Sequence, residues 1–419
     1  MREMKDSGIE WIGSIPANWE VHPVYFYFTE RKNKNIFGAE QNLLSLSYGK
    51  VIRKNINTVG GLLPESFNTY NIIEANDIVI RPTDLQNDKR SLRTGLCKEH
   101  GIITSAYIAL KPISGFNVSY VHYLLHTYDI MKVFYNMGNG VRQGLNYSEF
   151  SKLMIFIPPI AEQNAIAKYL DNECSEVDAL VSDIQQQIEA LEEYKRSVIT
   201  EAVTKGLDPD VEMRDSGVQW IGDIPAHWLV EKVKFHLQRN EPRNPGDKQV
   251  LSVYREYGVI PKDSRDDNHN VTSEDTSNYK YVVPGNLVIN KMKAWQGSMG
   301  VSEYEGIVSP AYFIYKFTDN QIMPKYLHYL FRSCYKDEFR RISGGIREGQ
   351  WDLSPYEFSN TLLLIPPTDE QNRIVSYIDA RISEIEFAIT EKKQQIETIE
   401  EYKKSLIFEY VTGKKEVQA

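Results

Sequence analysis

Residues 4–19 read Met4-Lys5-Asp6-Ser7-Gly8-Ile9-Glu10-Trp11-Ile12-Gly13-Ser14-Ile15-Pro16-Ala17-Asn18-Trp19. Shifted by 209, the chain says almost the same again: Met213-Arg214-Asp215-Ser216-Gly217-Val218-Gln219-Trp220-Ile221-Gly222-Asp223-Ile224-Pro225-Ala226-His227-Trp228. Eleven of the 16 positions are identical. A second block repeats with a shift of 208, where 158–204 and 366–412 match at 23 of 47 positions without a gap. Between the blocks lie 138 residues in the first copy (20–157) and 137 in the second (229–365), and these match poorly. Two kept frames with varied contents imply one scaffold that presents two different surfaces.

The second block predicts long helices. Apolar residues fall at Ile166, Leu170, Cys174, Val177, Val181, Ile184, Ile188, Leu191, Val198 and Ala202, with Lys195 the polar position on the stripe. The second copy gives Ile374, Ile378, Ile382, Ile385, Ile389, Ile396, Ile399 and Leu406, interrupted by Lys392. From Val177 onward the spacing is that of a heptad seam. Pro158-Pro159 and Pro366-Pro367 mark the starts, and Gly206 and Gly413 suit the C-terminal caps. Thr368 with Gln371 suits a capping box that the first copy lacks. A helix of about 44 residues is roughly 66 Å long. Its stripe needs burial, and the natural partner of each copy is the other.

Each variable segment predicts short strands broken by polar loops. Residues 42–48, 77–80 and 105–110 answer to 249–254, 286–289 and 310–315, and a helix follows each set at 120–125 and 326–331. The expected architecture is α+β: two α/β domains, each followed by a long helix, with the helices paired as an antiparallel coiled coil and the halves related by a pseudo-twofold repeat. The boundaries are 1–157 and 211–365 for the domains, and 158–210 and 366–419 for the helices.

The net charge of −9 argues at first against nucleic acid. Its distribution weakens that objection, since residues 1–157 hold 17 Lys+Arg against 14 Asp+Glu and residues 158–210 hold 4 against 12. The acidity sits on the frame, and local field decides phosphate binding. The three cysteines, Cys97, Cys174 and Cys334, lack metal-ligand spacing and fit a reducing cytoplasm. No apolar run approaches ~18 residues, so no membrane span is expected.

Divergent loops are where function should lie. After the central strand the first copy carries Arg81, Lys89, Arg90 and Arg93, and the second carries Lys291, Lys293, Trp295 and Gln296. A second pair of loops holds Tyr48, Lys50, Arg53 and Lys54 in one copy and Tyr254 and Arg255 in the other. A glycine-flanked arginine recurs as Arg142, beside Gln143, and as Arg347. Basic and amide side chains together are what phosphate contact and base-edge readout need. Trp295 is expected to anchor its loop rather than stack on a base. His122 and His328 sit among Tyr and Leu and are expected to be packing residues. Glu192-Glu193-Tyr194-Lys195 recurs unchanged as Glu400-Glu401-Tyr402-Lys403, which suits either solvated helix charge or a docking patch of Glu192, Tyr194, Lys195, Glu400, Tyr402 and Lys403. No phosphate loop, nucleophile elbow or zinc spacing is present in the sequence. The chain is expected to recognise without doing chemistry.

The frame motifs at 4–13 and 213–222, with Pro158-Pro159 before Glu162-Gln163 and Pro366-Pro367 before Glu370-Gln371, resemble the specificity subunit of type I restriction–modification systems. The likeness covers essentially the whole chain, and residues 286–315 are similar to a common form of its target-recognition domain. The first domain departs from that form at 81–93, which implies a different half-target. The resemblance implies a bipartite asymmetric DNA site, one half per domain, and a coiled coil that sets the gap. It also implies docking of two methyltransferase subunits and two motor–nuclease subunits. No cofactor is expected on this chain; S-adenosylmethionine, ATP and Mg²⁺ would belong to those partners. Against it stand a self-contained methyltransferase or nuclease, and a two-armed protein scaffold that binds no DNA.

Overall fold

The computed structural model describes residues 2–57, 64, 66–83, 85, 92–137, 144–255, 257–264, 272, 275–345 and 351–417. The chain forms two units, one of 1–184 with 393–419 and one of 185–392. The two long helices run Ile160–Lys205 and Thr368–Val411. Each unit therefore contains the first part of one long helix and the last part of the other.

In the first unit a four-stranded antiparallel sheet has the spatial order Phe28–Glu30, Ile108–Pro112, Ile78–Ile80, Thr94–Leu96. The second unit repeats it as Leu237–Arg239, Tyr312–Phe317, Leu287–Asn290, Met299–Val301. Hairpins Leu44–Ser47 with Lys50–Arg53, and Leu251–Tyr254 with Gly258–Pro261, also correspond. The expected helices are Val118–Ile130 and Pro324–Cys334. Central strands such as Ile78-Val79-Ile80 and Leu287-Val288-Ile289 are buried on both faces, which explains their unbroken apolar runs.

The repeated frame is a junction, built the same way in each unit. Trp19 and Trp228 are fully buried, and each indole Nε1 donates to a carboxylate near the start of a long helix, Glu162 or Glu370, at 3.1 Å. The following glutamines are buried too. Gln163 donates to the carbonyl of Pro158 at 2.7 Å and accepts from Asn117 N at 2.8 Å. Gln371 donates to Pro366 O and Gln321 O and accepts from Met323 N, all within 2.8 Å. The expected capping box at Thr368 is corrected by this arrangement. Thr368 is itself the first helical residue, and Gln371 turns inward to hold the Pro-Pro carbonyl, as Gln163 does without any threonine.

The other long helix ends on the same junction. Tyr120 Oη donates to Val411 O at 3.0 Å, and Tyr326 Oη to Val203 O at 3.2 Å. Gly206 and Gly413 follow the helix ends in the left-handed conformation, at φ +74° and +69°. A Cβ on Gly413 would stand 2.5 Å from Pro16, and one on Gly206 would stand 3.0 Å from the Glu370 carboxylate, so glycine also lets the helix end close on the junction.

Along the helices the predicted stripe is the buried or half-buried side at every position. Contacts between the helices run in opposite chain directions within each unit. In the first unit Tyr169 lies against Tyr410, with ring centroids 4.5 Å apart, and Asp178 accepts from Lys403 at 2.5 Å. In the second, Gln187 meets Lys392 and Glu386 accepts from Lys195 at 3.0 Å.

Replacing Gln371 by Leu strands three partners, one buried and two part-buried, at ~1–3 kcal/mol for each group left without a bond out of water. Gln371→Leu should therefore lower the stability of the second unit by about 3 kcal/mol or more in urea denaturation, and a loss under about 1 kcal/mol contradicts the junction.

Candidate nucleic-acid interface

The structure brings together the two candidate loops of each unit. In the first, the hairpin turn at Tyr48-Gly49 abuts the end of the 81–93 loop, because a Cβ on Gly49 would lie 3.2 Å from Leu92 and 3.3 Å from His126. In the second, Gly258 packs on His328 and on Gly300, at the strand that closes the 291–298 loop. Arg332 fixes this contact by donating to Met299 O at 3.1 Å and to the carbonyls of Tyr254 and Arg255. Only a residue without a side chain allows the hairpin this close to the helix.

Tyr48 is 83% exposed and holds a positive φ of 46°. Its counterpart by shift is Tyr257, exposed at 54%, and not Tyr254, whose hydroxyl is buried. That is one correction to the expected site. Lys50 is exposed and reaches Asp178 of the long helix at 3.0 Å; Arg53 is exposed and paired with both oxygens of Glu99. Lys54, Arg255 and Lys293 are exposed, Arg81 is half-buried, and Lys291 pairs with Asp352 at 2.9 Å. Gln296 is half-buried beside Trp295. Lys89, Arg90, Arg142, Gln143 and Arg347 lie outside the described residues.

Arg93 is the second correction. It is fully buried, and its guanidinium donates to the carbonyls of Arg81 and Thr83. A side chain enclosed in that way braces the loop from inside and does not meet phosphate. Asp129 completes the brace: its Oδ2 accepts from the backbone N–H of Arg93 and of Thr94, the latter at 3.1 Å. Burial pushes the Asp129 carboxyl up to about 6, against the opposing pull of the Arg93 N–H.

Trp295 anchors its loop as expected. Its Nε1 donates to Met292 O at 3.1 Å and its ring meets Trp351 at 5.5 Å. Trp351, Arg332 and Asp129 are site-building residues that sequence reasoning missed, for they act from distant segments and carry no local pattern. His122 and His328 are packing residues, and burial pushes both down to about 3. Neither is placed for acid–base work near neutrality. Of the docking candidates, Lys195 and Lys403 bridge to the facing helix, Tyr194 and Tyr402 remain about half exposed, Glu400 is exposed and Glu192 is half-buried. Among the described residues no group of three or more His, Cys, Asp or Glu is disposed to hold a metal, and no helix is long and apolar enough to cross a membrane.

Each unit thus carries a pair of adjoining loops on the same sheet-and-helix scaffold. The sequence model of the type I restriction modification DNA specificity domain matches residues 97–190 and 236–398, and the chain belongs to that family. It is 22% identical over 426 residues to the putative type I restriction enzyme MjaX specificity subunit of Methanocaldococcus jannaschii, covering 96% of this chain and 95% of that one. It is 23% identical over 249 residues to the type I restriction enzyme EcoKI specificity subunit of Escherichia coli K12, covering 55% and 51%. A solved structure from "Structural basis underlying complex assembly and conformational transition of the type I R-M system" shares the fold, with a TM-score of 0.65 at 12% identity over 95% of this chain and 99% of the other. Specificity subunits are non-catalytic, and catalysis in type I systems resides in other subunits.

An acid whose folded pKa is raised binds its proton more tightly folded than unfolded. Protonation of Asp129 therefore adds stability as pH falls through about 6, completely so below the ordinary value of 3.8, and above 6 the buried carboxylate is a constant burden. Asp129→Asn should remove this component. The stability difference between variant and parent, from urea melts, should change between about pH 4.5 and about pH 7.5. A difference equal at both contradicts the assignment.

Proposed function

We propose that the chain reads a bipartite, asymmetric DNA site, one half by each variable segment, within a type I restriction–modification complex. The observation that carries this reading is that one architecture is built twice on the same junction, while its paired basic loops differ at most positions, Tyr48/Tyr257 and Arg142/Arg347 excepted. Tyr48, Lys50, Arg53, Lys54 and Arg81, with the residues Lys89, Arg90, Arg142 and Gln143, would serve one half. Tyr257, Arg255, Lys291, Lys293, Gln296 and Arg347 would serve the other. Domains 1–157 and 211–365 would be the readers, and the antiparallel helix pair would be the ruler between them.

Two methyltransferase and two motor–nuclease subunits would complete the assembly in the cytoplasm and would carry S-adenosylmethionine, ATP and Mg²⁺. Tyr194 and Tyr402, with Glu192 and Glu400, supply outward helix positions for docking. Lys195 and Lys403 support that surface by tying the helices together.

Methylome sequencing of a host carrying the whole system should reveal two short half-sites separated by a fixed gap; one continuous site contradicts the reading. Inserting seven residues at facing positions of both helices lengthens each by ~10.5 Å, or about three base-pair steps, and should widen the gap by that amount with both halves unchanged. Binding of the complex to a specific duplex should weaken steeply between about 50 and about 200 mM salt, and a flat salt response argues for a scaffold without DNA contact.

A further inference from the structure

Each unit fixes the start of its short helix in the same way. The backbone N–H of Asn117, just before helix 118–130, donates to Gln163 Oε1 at 2.8 Å. That of Met323, just before helix 324–334, donates to Gln371 Oε1 at 2.7 Å. One such point is a pivot, about which the short helix can still swing against the long one. A second point lies further along. Tyr123 Oη donates to Asp171 Oδ1 at 2.8 Å, and Tyr329 Oη donates to Asp379 Oδ1 at 2.5 Å. The tyrosines correspond at a shift of 206 and the aspartates at a shift of 208, so one bond is built twice.

Glutamine and aspartate stand eight residues apart on each long helix, at 163 and 171 and at 371 and 379. That separation is ~12 Å at about 1.5 Å per residue. Two points so far apart define a line, and the short helix keeps one direction. Lys325 also reaches Asp379, at 2.7 Å, and Lys50 reaches Asp178, at 3.0 Å. The equivalent positions in the opposite units are Ser119 and Val259, and exposed ion pairs hold weakly. The tyrosine bond is the shared restraint.

The loops proposed to read DNA rest on that helix. A Cβ on Gly49 would meet His126 at 3.3 Å, and one on Gly258 would meet His328 at 3.0 Å. In the second unit Arg332 holds the carbonyls of Tyr254 and Arg255 as well. A swing of ~15° about the glutamine carries a point ~12 Å away by ~3 Å, nearly one base-pair step. We propose that Tyr123 and Tyr329 are positioning residues for the gap. Each hydroxyl locks the direction of its reader on the long helix, so that one gap length is accepted and its neighbours are refused. This rests on the reading of a bipartite site.

Methylation of duplexes by the complex with its methyltransferase subunits tests it. Both parental halves are set at the parental gap and at one base pair more or less, and the parent chain should favour the parental gap. Each tyrosine ring packs against the core of its unit, so phenylalanine keeps the packing and removes the donor. Tyr123→Phe with Tyr329→Phe should lower the preference for the parental gap at least ~5-fold, with the bases preferred in each half unchanged. Asp171→Ala with Asp379→Ala breaks the bonds from the other side and should do the same. Asp171→Asn with Asp379→Asn keeps an acceptor oxygen and should restore most of the preference. A preference within about twofold of parental in the phenylalanine double variant overturns the proposal. An equal loss of rate at every gap also overturns it, since damage to the fold alone would give that result. A parent chain that methylates all three gaps alike would instead refute the reading on which the proposal rests.

Discussion

A tryptophan indole donating to a helix-initial glutamate is the interaction on which the rest of the structure depends. Trp19 on Glu162, and Trp228 on Glu370, join three pieces of chain that are far apart in sequence: the short frame motif, the start of one long helix and the end of the other. The bond is part-buried and charge-assisted, a type worth ~1.5–3 kcal/mol, and breaking it would leave a buried indole N–H without its acceptor. The other partners of the two carboxylates differ, with Arg2 gripping Glu162 and His227 gripping Glu370. The indole is the constant element. Once it is set, the Pro-Pro turn, the inward glutamine and the glycine-tight helix end follow as ways to close the same junction.

From that constraint comes a division of labour. Loops that must differ are carried by a sheet and helix that need not, and each unit braces its loops by its own means. The first uses a buried arginine and carboxylate, Arg93 and Asp129, while the second uses Arg332 on backbone carbonyls and a pair of tryptophans. Brace and contact residues are different sets, and in a basic loop the charge of a side chain does not say which it is. Enclosure does.

Much of the fold was legible because it rests on periodicity and repetition. The heptad stripe, the paired prolines and the cap glycines are local patterns, and the structure places each where its chemistry puts it. Less was legible wherever two distant segments share one job. Gln371 looked like a capping partner of Thr368 because both are near in sequence, yet its amide serves carbonyls at 321 and 366. Arg93 looked like a phosphate contact because it ends a basic run. Tyr254 was matched to Tyr48 by strand alignment, whereas the turn glycines, Gly49 and Gly258, show Tyr257 to be the equivalent.

The most direct test of two readers on one ruler is a chain in which residues 229–365 are replaced by a second copy of 20–157, with both frame blocks intact. Assembled with its partners and examined by methylome sequencing, it is predicted to methylate an inverted repeat of the first half-site with the parental gap. Retention of the asymmetric parental site, or a changed gap between two correct halves, would contradict that prediction.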